Sequence, residues 1–329
     1  MNLYTFSLIT TSLFSATAMA QYAPQAGVAG STAIHSSSPQ FKGWANNCHV
    51  YRGWIDIAQP SLGLVTSGDS SMAVGPANFS VVSLGDSGVA VLTFPKPIVN
   101  GPGFDFAVFE NGFPDPMDSK KAFLELAHVE VSSDGINFFR FPSASETQTT
   151  TQVAGAGVYM DAQEINNLAG KYMSNYGTPF DLEEMKEIPG LDVNNVTHVR
   201  LVDVVGSITG HSSYDASNRI INDPYPTNFH IGGFDLDAVG VLNQSTLSIN
   251  ITSTSVSVST FPNPVSDVLT VAASQPVRLT LTDISGKLIW HHAAASKATF
   301  SMQGYSSGLY FLTFKDDNGY QWVERIVKQ

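Results

Sequence analysis

The sequence predicts an all-β protein: a jelly-roll-like β-sandwich with short helical insertions, followed by a small Ig-like β-sandwich. Three observations predict it. Hydrophobic residues make up 43% of the chain and charged residues 13%, a balance that supports packed cores and argues against disorder. Thr, Ser, Val, Gly and Phe are plentiful, and they favour strands and turns over long helices. Short apolar runs recur between Gly, Asp, Asn and Pro, with no sustained helical periodicity. At 329 residues the chain has room for about two domains.

The elements follow in order. Residues 1–20 predict a removable signal peptide: Leu8–Ala16 is apolar or small, and Ala18-Met19-Ala20 offers a small-x-small cleavage pattern before Gln21. The stretch lacks the usual basic residue, and Thr and Ser break it too often for a membrane span. Residues 21–242 read as the main sandwich, with strands at Phe79–Leu84, Val89–Phe94, Phe104–Phe109, Ala127–Ser132, His198–Val204 and Leu236–Leu242. Gly85-Asp86-Ser87-Gly88, Asn100-Gly101-Pro102-Gly103 and Ser133-Asp134-Gly135 read as turns, the last predicting a tight hairpin. Two helical insertions are expected. One is Asp161–Met173, from the spacing of Ile165, Leu168 and Tyr172; the other is a turn capped by Asp181 and ending by Pro189-Gly190. Residues 243–260 are rich in Ser and Thr and read as a linker.

Residues 261–329 carry the densest pattern: Phe261-Pro-Asn-Pro264, Val268-Leu-Thr-Val271, Leu279–Leu288 with its Asp283–Gly286 turn, Gly308-Leu-Tyr-Phe-Leu-Thr313 and Glu324-Arg-Ile-Val-Lys328. This order resembles the type A C-terminal sorting domain of the type IX secretion system of Bacteroidota, with Gln329 after Lys328 as one departure. The resemblance implies that residues 261–329 engage the type IX machinery. It further implies passage across the outer membrane, removal of the domain, and release or attachment at the cell surface.

Charge narrows the partners. Residues 1–254 carry a net charge of −13 and residues 255–329 a net charge of +1. An acidic body repels phosphate, so no nucleic-acid partner is expected. Cys48 is the sole cysteine, which excludes an intramolecular disulfide. It reads as a small buried residue, because its neighbour His49 would point to the opposite face of a strand and cannot serve as its base. The chain holds no Gly-x-Ser-x-Gly elbow, His-Glu-x-x-His motif or phosphate loop.

Residues 40–242 resemble uncharacterised secreted or cell-surface proteins of environmental and gut bacteria. Trp44-Ala45, Cys48-His-Val-Tyr-Arg-Gly53, Asn100–Gly112, Val129–Gly135 and Gly232–Gly240 carry that resemblance. The Ser-Asp-Gly hairpin and the Phe234–Val239 strand are also similar to carbohydrate-binding modules. That likeness implies a jelly roll, a structural calcium and loops that grip sugar. From the residues themselves, alternation puts Phe234, Leu236 and Ala238 on one face and Asp235 and Asp237 on the other. Two such carboxylates repel unless a cation lies between them. A structural Ca2+ is expected there, with Asp105, Glu110 and Asp223 as further donors; solvated aspartates capping a loop are the plainer reading.

For sugar recognition, Trp44, Trp54, Tyr214 and Tyr225 are the candidate platforms, and Arg52, Asn218 and Arg219 the polar partners. The segment His211–His230, stiffened by Pro224 and Pro226, is the best placed. The expected function is a secreted or cell-surface binding protein for carbohydrate or another surface nutrient, without catalytic residues. Two alternatives stay open: a glycan-active hydrolase or lyase using a carboxyl pair among Asp105, Glu110, Asp235 and Asp237, and an adhesin with no small ligand.

Overall fold

The computed structural model describes residues 22–227, 229–245, 258–283, 287–316 and 321–329. The expected signal peptide and most of the expected linker lie outside them. The chain divides into two compact units, residues 1–249 and 250–329.

The first unit is built on two six-stranded antiparallel sheets. One has the order Ile34–His35 (β1), Tyr176–Phe180 (β15), Phe106–Glu110 (β6), Asp235–Val241 (β17), Gly43–Trp44 (β2), with Val82–Ser83 (β4) also on β17. The other runs Phe139–Arg140 (β10), Ala127–Ser132 (β9), Val196–Asp203 (β16), Val89–Ile98 (β5), Asn47–Tyr51 (β3), with Leu168–Ala169 (β14) on β9. Two small sheets complete the unit: Ala144–Ser145 (β11) with Ile165–Asn166 (β13), and Met160–Asp161 (β12), Lys121–Phe123 (β8) and Phe113–Pro114 (β7).

Alternation explains β5, whose even-numbered residues Ala90, Leu92 and Phe94 are buried while Val89, Val91 and Thr93 are half-exposed. The central strands behave differently, because both of their faces are covered. Every residue of β6, β9 and β17 is buried. On one side of the first sheet Phe106, Val108, Leu236 and Val239 join the main core, where Phe106 stacks on Phe180 at 5.2 Å. On the other side Ile34, Phe41 and Trp44 cover Ala107, Phe109 and Ala238. A third cluster from residues 122–173, with Val204 and Ile221, covers the second sheet near β9.

Three expectations are corrected. Asp161–Met173 is not a helix: a 3-10 turn, Ala162–Glu164, gives way to β13 and β14. Asn167 and Gly170 sit at φ 49° and 82°, a conformation that no α-helix tolerates, and Leu168 and Ala169 pair instead with His128 and Ala127. Asp181 does cap a turn, accepting from Glu183 N, but the turn is a single 3-10 element, Leu182–Met185. The strict alternation expected along β17 also fails. Its register against β6 shifts between Leu236 and Ala238, so Ala238 turns to the outer face while Val239 joins Leu236 inside. The Asp134-Gly135 hairpin forms, but residues 133–138 make a longer connection in which Asp134 collects the N–H groups of Ile136 and Asn137.

The second unit is a five-stranded antiparallel sheet. Val268–Asp283 (β19) pairs along one edge with Leu288–Ser301 (β20). Its other edge pairs first with Val258–Phe261 (β18), then with Gly308–Lys315 (β21), which carries Gln321–Lys328 (β22). Register shifts between Ala272 and Leu279 curl the long strand over a core of Val271, Leu279, Leu281, Leu312, Phe314 and Ile326. Among the described residues no helix is long and apolar enough to cross a membrane.

Candidate functional site

One end of the sandwich gathers carboxylates. There β6 stops at Glu110, β16 stops at Asp203 and β17 starts at Asp235; Glu125 lies just before β9, and Asp223 is in the loop leading to β17. Pairing fixes the placement: Glu110 faces Leu236 across β6 and β17, and Asp203 faces Ala127 across β16 and β9. Phe234 N donates to Asp203 Oδ1 at 2.7 Å and ties the two sheets together at this end.

These groups are buried because the strands carrying them are covered on both faces. Glu110, Asp203, Asp223 and Asp235 are 1%, 2%, 3% and 6% exposed, and Glu125 is 7% exposed. Such burial costs several kcal/mol for each carboxylate left charged. The protein meets part of that cost with donors. Asp203 accepts from Phe234 N and Ser87 N; Asp235 accepts from Ser83 Oγ and Asn111 Nδ2. Glu110 Oε2 accepts from Gly112 N at 2.7 Å, and Asp223 Oδ2 from Leu126 N at 3.3 Å. Glu110 Oε1 and Asp223 Oδ1 are buried without a partner.

Burial pushes Glu110, Glu125, Asp203 and Asp223 well above the usual carboxylate range, and their charges raise one another further. Burial also raises Asp235, against the pull of Ser83, Asn111 and the Arg52 guanidinium. Nearby Asp86 is raised to about 6 by burial, partly offset by the Ile57 N–H.

The residues expected to bind metal divide. Glu110, Asp223 and Asp235 come to this end. Asp237, one residue beyond Leu236, instead accepts from Asn78 N and Phe79 N and holds that loop. Asp105 precedes the far end of β6, about 17 Å of strand away from Glu110, and its oxygens take Gly101 N, Leu182 N and Asn243 Nδ2. Glu125 and Asp203 were not among the sequence candidates. Their signal is a lone acid inside or at the end of an apolar run, Phe123-Leu-Glu-Leu-Ala127 and Val199-Arg-Leu-Val-Asp203.

The expected sugar-contact residues fall in three places. Trp44 packs on Phe41 and Phe109 at 4.7 and 5.6 Å, inside the outer cluster. Arg52 donates to the carbonyls of Ser67, Gly68 and Ser83, while half-exposed Trp54 bridges Leu64 and Asp86, and Tyr225 OH donates to Asp56 at 2.9 Å. Tyr214, Asn218 and Arg219 come together elsewhere, and of the three Arg219 lines an open groove of about 380 Å³, with Ser145 to Thr149 and Ile220. Asn218 takes a left-handed turn, φ 61°, whose carboxylate hub Asp215 accepts from Ser145 N, Ser217 N and Arg219 N. Arg219 is fixed between Asp215 and Glu146. Tyr214, 47% exposed, pairs across an isolated bridge with Ile220, one of the residues lining the groove.

Comparison with known proteins decides the second unit. Residues 259–329 match the family described as "Secretion system C-terminal sorting domain". The second unit is a type IX sorting domain. A chain bearing this sorting domain is exported, to the cell surface or beyond it. No curated protein matches the chain. Among solved structures it is similar to a DUF3244 protein of Bacteroides vulgatus with an immunoglobulin-like β-sandwich fold, at 13% identity over 22% of this chain and 96% of that one, TM-score 0.19. It is also similar to Lactobacillus rhamnosus β-glucuronidase, at 11% identity over 74% of this chain and 36% of that one, TM-score 0.21. The chain thus spans about a third of that enzyme's length, and likenesses this distant say nothing of its chemistry.

Proposed function

We propose that this exported protein is a carbohydrate-binding protein, with the sorting domain as its address and the groove between Glu146 and Arg219 as its binding site. The observation that supports the reading is the pairing of an exposed aromatic ring with fixed polar groups. Tyr214, 47% exposed, pairs with Ile220 of the groove lining, and Arg219, held by Glu146 and Asp215, has a side chain that is 38% exposed. Sugars are gripped by such a combination: a flat apolar face against the ring, hydroxyls against preset donors and acceptors. The groove is open along the surface and polar in its lining residues, which suits a chain of sugars better than a small apolar ligand.

A glycan array probed with the full mature chain tests this. Binding to a defined class of glycan, lost in Tyr214→Ala, is the expected result. An array silent for the wild type, or one on which Tyr214→Ala binds equally, contradicts it.

A further inference from the structure

The groove between Glu146 and Arg219 has a charge balance that bears on what it can hold. Seven residues line it, and among them only Glu146 and Arg219 are charged. Each guanidinium nitrogen of Arg219 lies against a carboxylate oxygen. Nε and Nη2 meet Asp215 Oδ2, both at 2.8 Å, and Nη1 meets Glu146 Oε1. The Nε–Nη2 fork, an edge that grips a carboxylate through two parallel hydrogen bonds, is thereby occupied. Asp215 cannot swing aside to free it: its side chain is 0% exposed and also accepts from Ser145 N, Ser217 N and Arg219 N. The side chain of Glu146 is 30% exposed, so its charge reaches the groove. One positive charge thus stands against two negative ones. The rest of the unit adds to the same sign, with a net charge of −13 over residues 1–254.

We propose that this groove selects uncharged glycans and turns away chains bearing carboxylate or sulfate groups. The proposal rests on the carbohydrate reading and names the class of ligand within it. A neutral sugar trades hydrogen bonds with water for hydrogen bonds with the groove, and the Glu146 carboxylate is a strong acceptor for its hydroxyls. An anionic sugar brings a like charge against Glu146, and the cation that would compensate it is already matched by Glu146 and Asp215. Juxtaposed like charges are a common means of rejecting a wrong ligand, and they act without any steric block. A groove built for acidic glycans needs an arginine or lysine whose donors face the ligand. Here the arginine's donors face the protein's own acids, and its role is to hold Glu146 in place.

The test puts the full chain on an array of uncharged, uronate-bearing and sulfated glycans. The neutral oligosaccharide bound best is then titrated beside the same compound with one hydroxymethyl group oxidised to a carboxylate. The wild type is expected to bind uncharged glycans only, and to bind the oxidised compound about tenfold more weakly at low salt, with the gap narrowing as salt rises. Glu146→Gln is expected to close most of that gap, whatever it does to the affinity for the neutral compound. Should this variant fail to fold, the salt dependence of the wild type decides alone. Uronate-bearing or sulfated glycans that bind the wild type and are lost in Tyr214→Ala overturn the proposal and leave the carbohydrate reading standing. A gap that neither salt nor Glu146→Gln alters also overturns it, since the exclusion is then steric. An array silent for every glycan, or binding that Tyr214→Ala leaves intact, removes the carbohydrate reading of this groove and the proposal with it.

Discussion

Phe234 N donates to Asp203 Oδ1 at 2.7 Å, and the other oxygen of Asp203 accepts from Ser87 N at 3.1 Å. One carboxylate at the end of β16 thus fixes the residue before β17 and the turn before β5, and the two sheets meet through it. Its removal leaves two main-chain donors without an acceptor. Asp203→Ala is expected to destabilise the first unit by about 2–4 kcal/mol, and Asp203→Asn, which keeps one acceptor and sheds a charge, by less. Urea unfolding of the two variants checks the order.

Gly170 governs the segment that the sequence misreads. It sits at φ 82°, and a Cβ there would lie 1.8 Å from the Glu125 carbonyl oxygen. Strain and overlap add, so Gly170→Ala is expected to cost about 3 kcal/mol or more. A melting temperature within a degree of the wild type would show that the backbone there is free to move.

Lys171 supplies a pH signature. It is 4% exposed, donates Nζ–H to the Ile165 carbonyl at 2.8 Å, and lies against the rings of Tyr22 and Tyr172. Burial lowers its pKa from 10.5 to about 8. Below pH 8 both folded and unfolded chains hold this proton, and the full penalty of burying the charge applies. Between about pH 8 and 10.5 the unfolded chain binds more protons, so stability rises with pH through that window, by up to about 3 kcal/mol. Lys171→Met is expected to flatten the rise, as measured by urea unfolding at pH 7.5 and 10.

Cys48 is expected to be silent. It is buried, and burial pushes its thiol up to about 12. A thiol reagent is expected to label it only in denaturant, and labelling of the native chain within minutes would mean that the β3 edge opens readily.

The sorting domain makes a cellular prediction. Deletion of residues 259–329 is expected to leave the remaining chain in the periplasm of a type IX-competent host, while the intact chain reaches the medium or the surface. Cell fractionation with an antibody to the first unit reads the difference.

Much of this was legible in the sequence, and the failures have physical causes. The strands at Val89, Ala127 and His198 show their apolar runs, and Ser133-Asp134-Gly135 marks a real turn. The spacing of Ile165, Leu168 and Tyr172 suggested a helix because periodicity is blind to φ. Asn167 and Gly170 break it. The bulge in β17 comes from packing on two faces at once, which a single strand's alternation cannot reveal. At the acidic end, Glu110, Asp223 and Asp235 were found as acids near turns. Asp105 has the same local look, yet its oxygens serve Gly101, Leu182 and Asn243, and only the fold shows that. Glu125 and Asp203 hid in apolar runs, where a lone acid is easily taken for surface. Tyr214, Asn218 and Arg219 lie together because one turn-rich segment carries them, whereas Trp44 shows how often a strand aromatic packs against its neighbours.

The most direct measurement of the central claim is calorimetric titration of the full chain with an oligosaccharide of the class that the array identifies, beside Tyr214→Ala and Trp54→Ala. The account predicts saturable binding that Tyr214→Ala weakens at least tenfold and Trp54→Ala leaves unchanged. Binding that survives Tyr214→Ala, or that is lost in Trp54→Ala instead, would contradict it and move the site away from the Glu146–Arg219 groove.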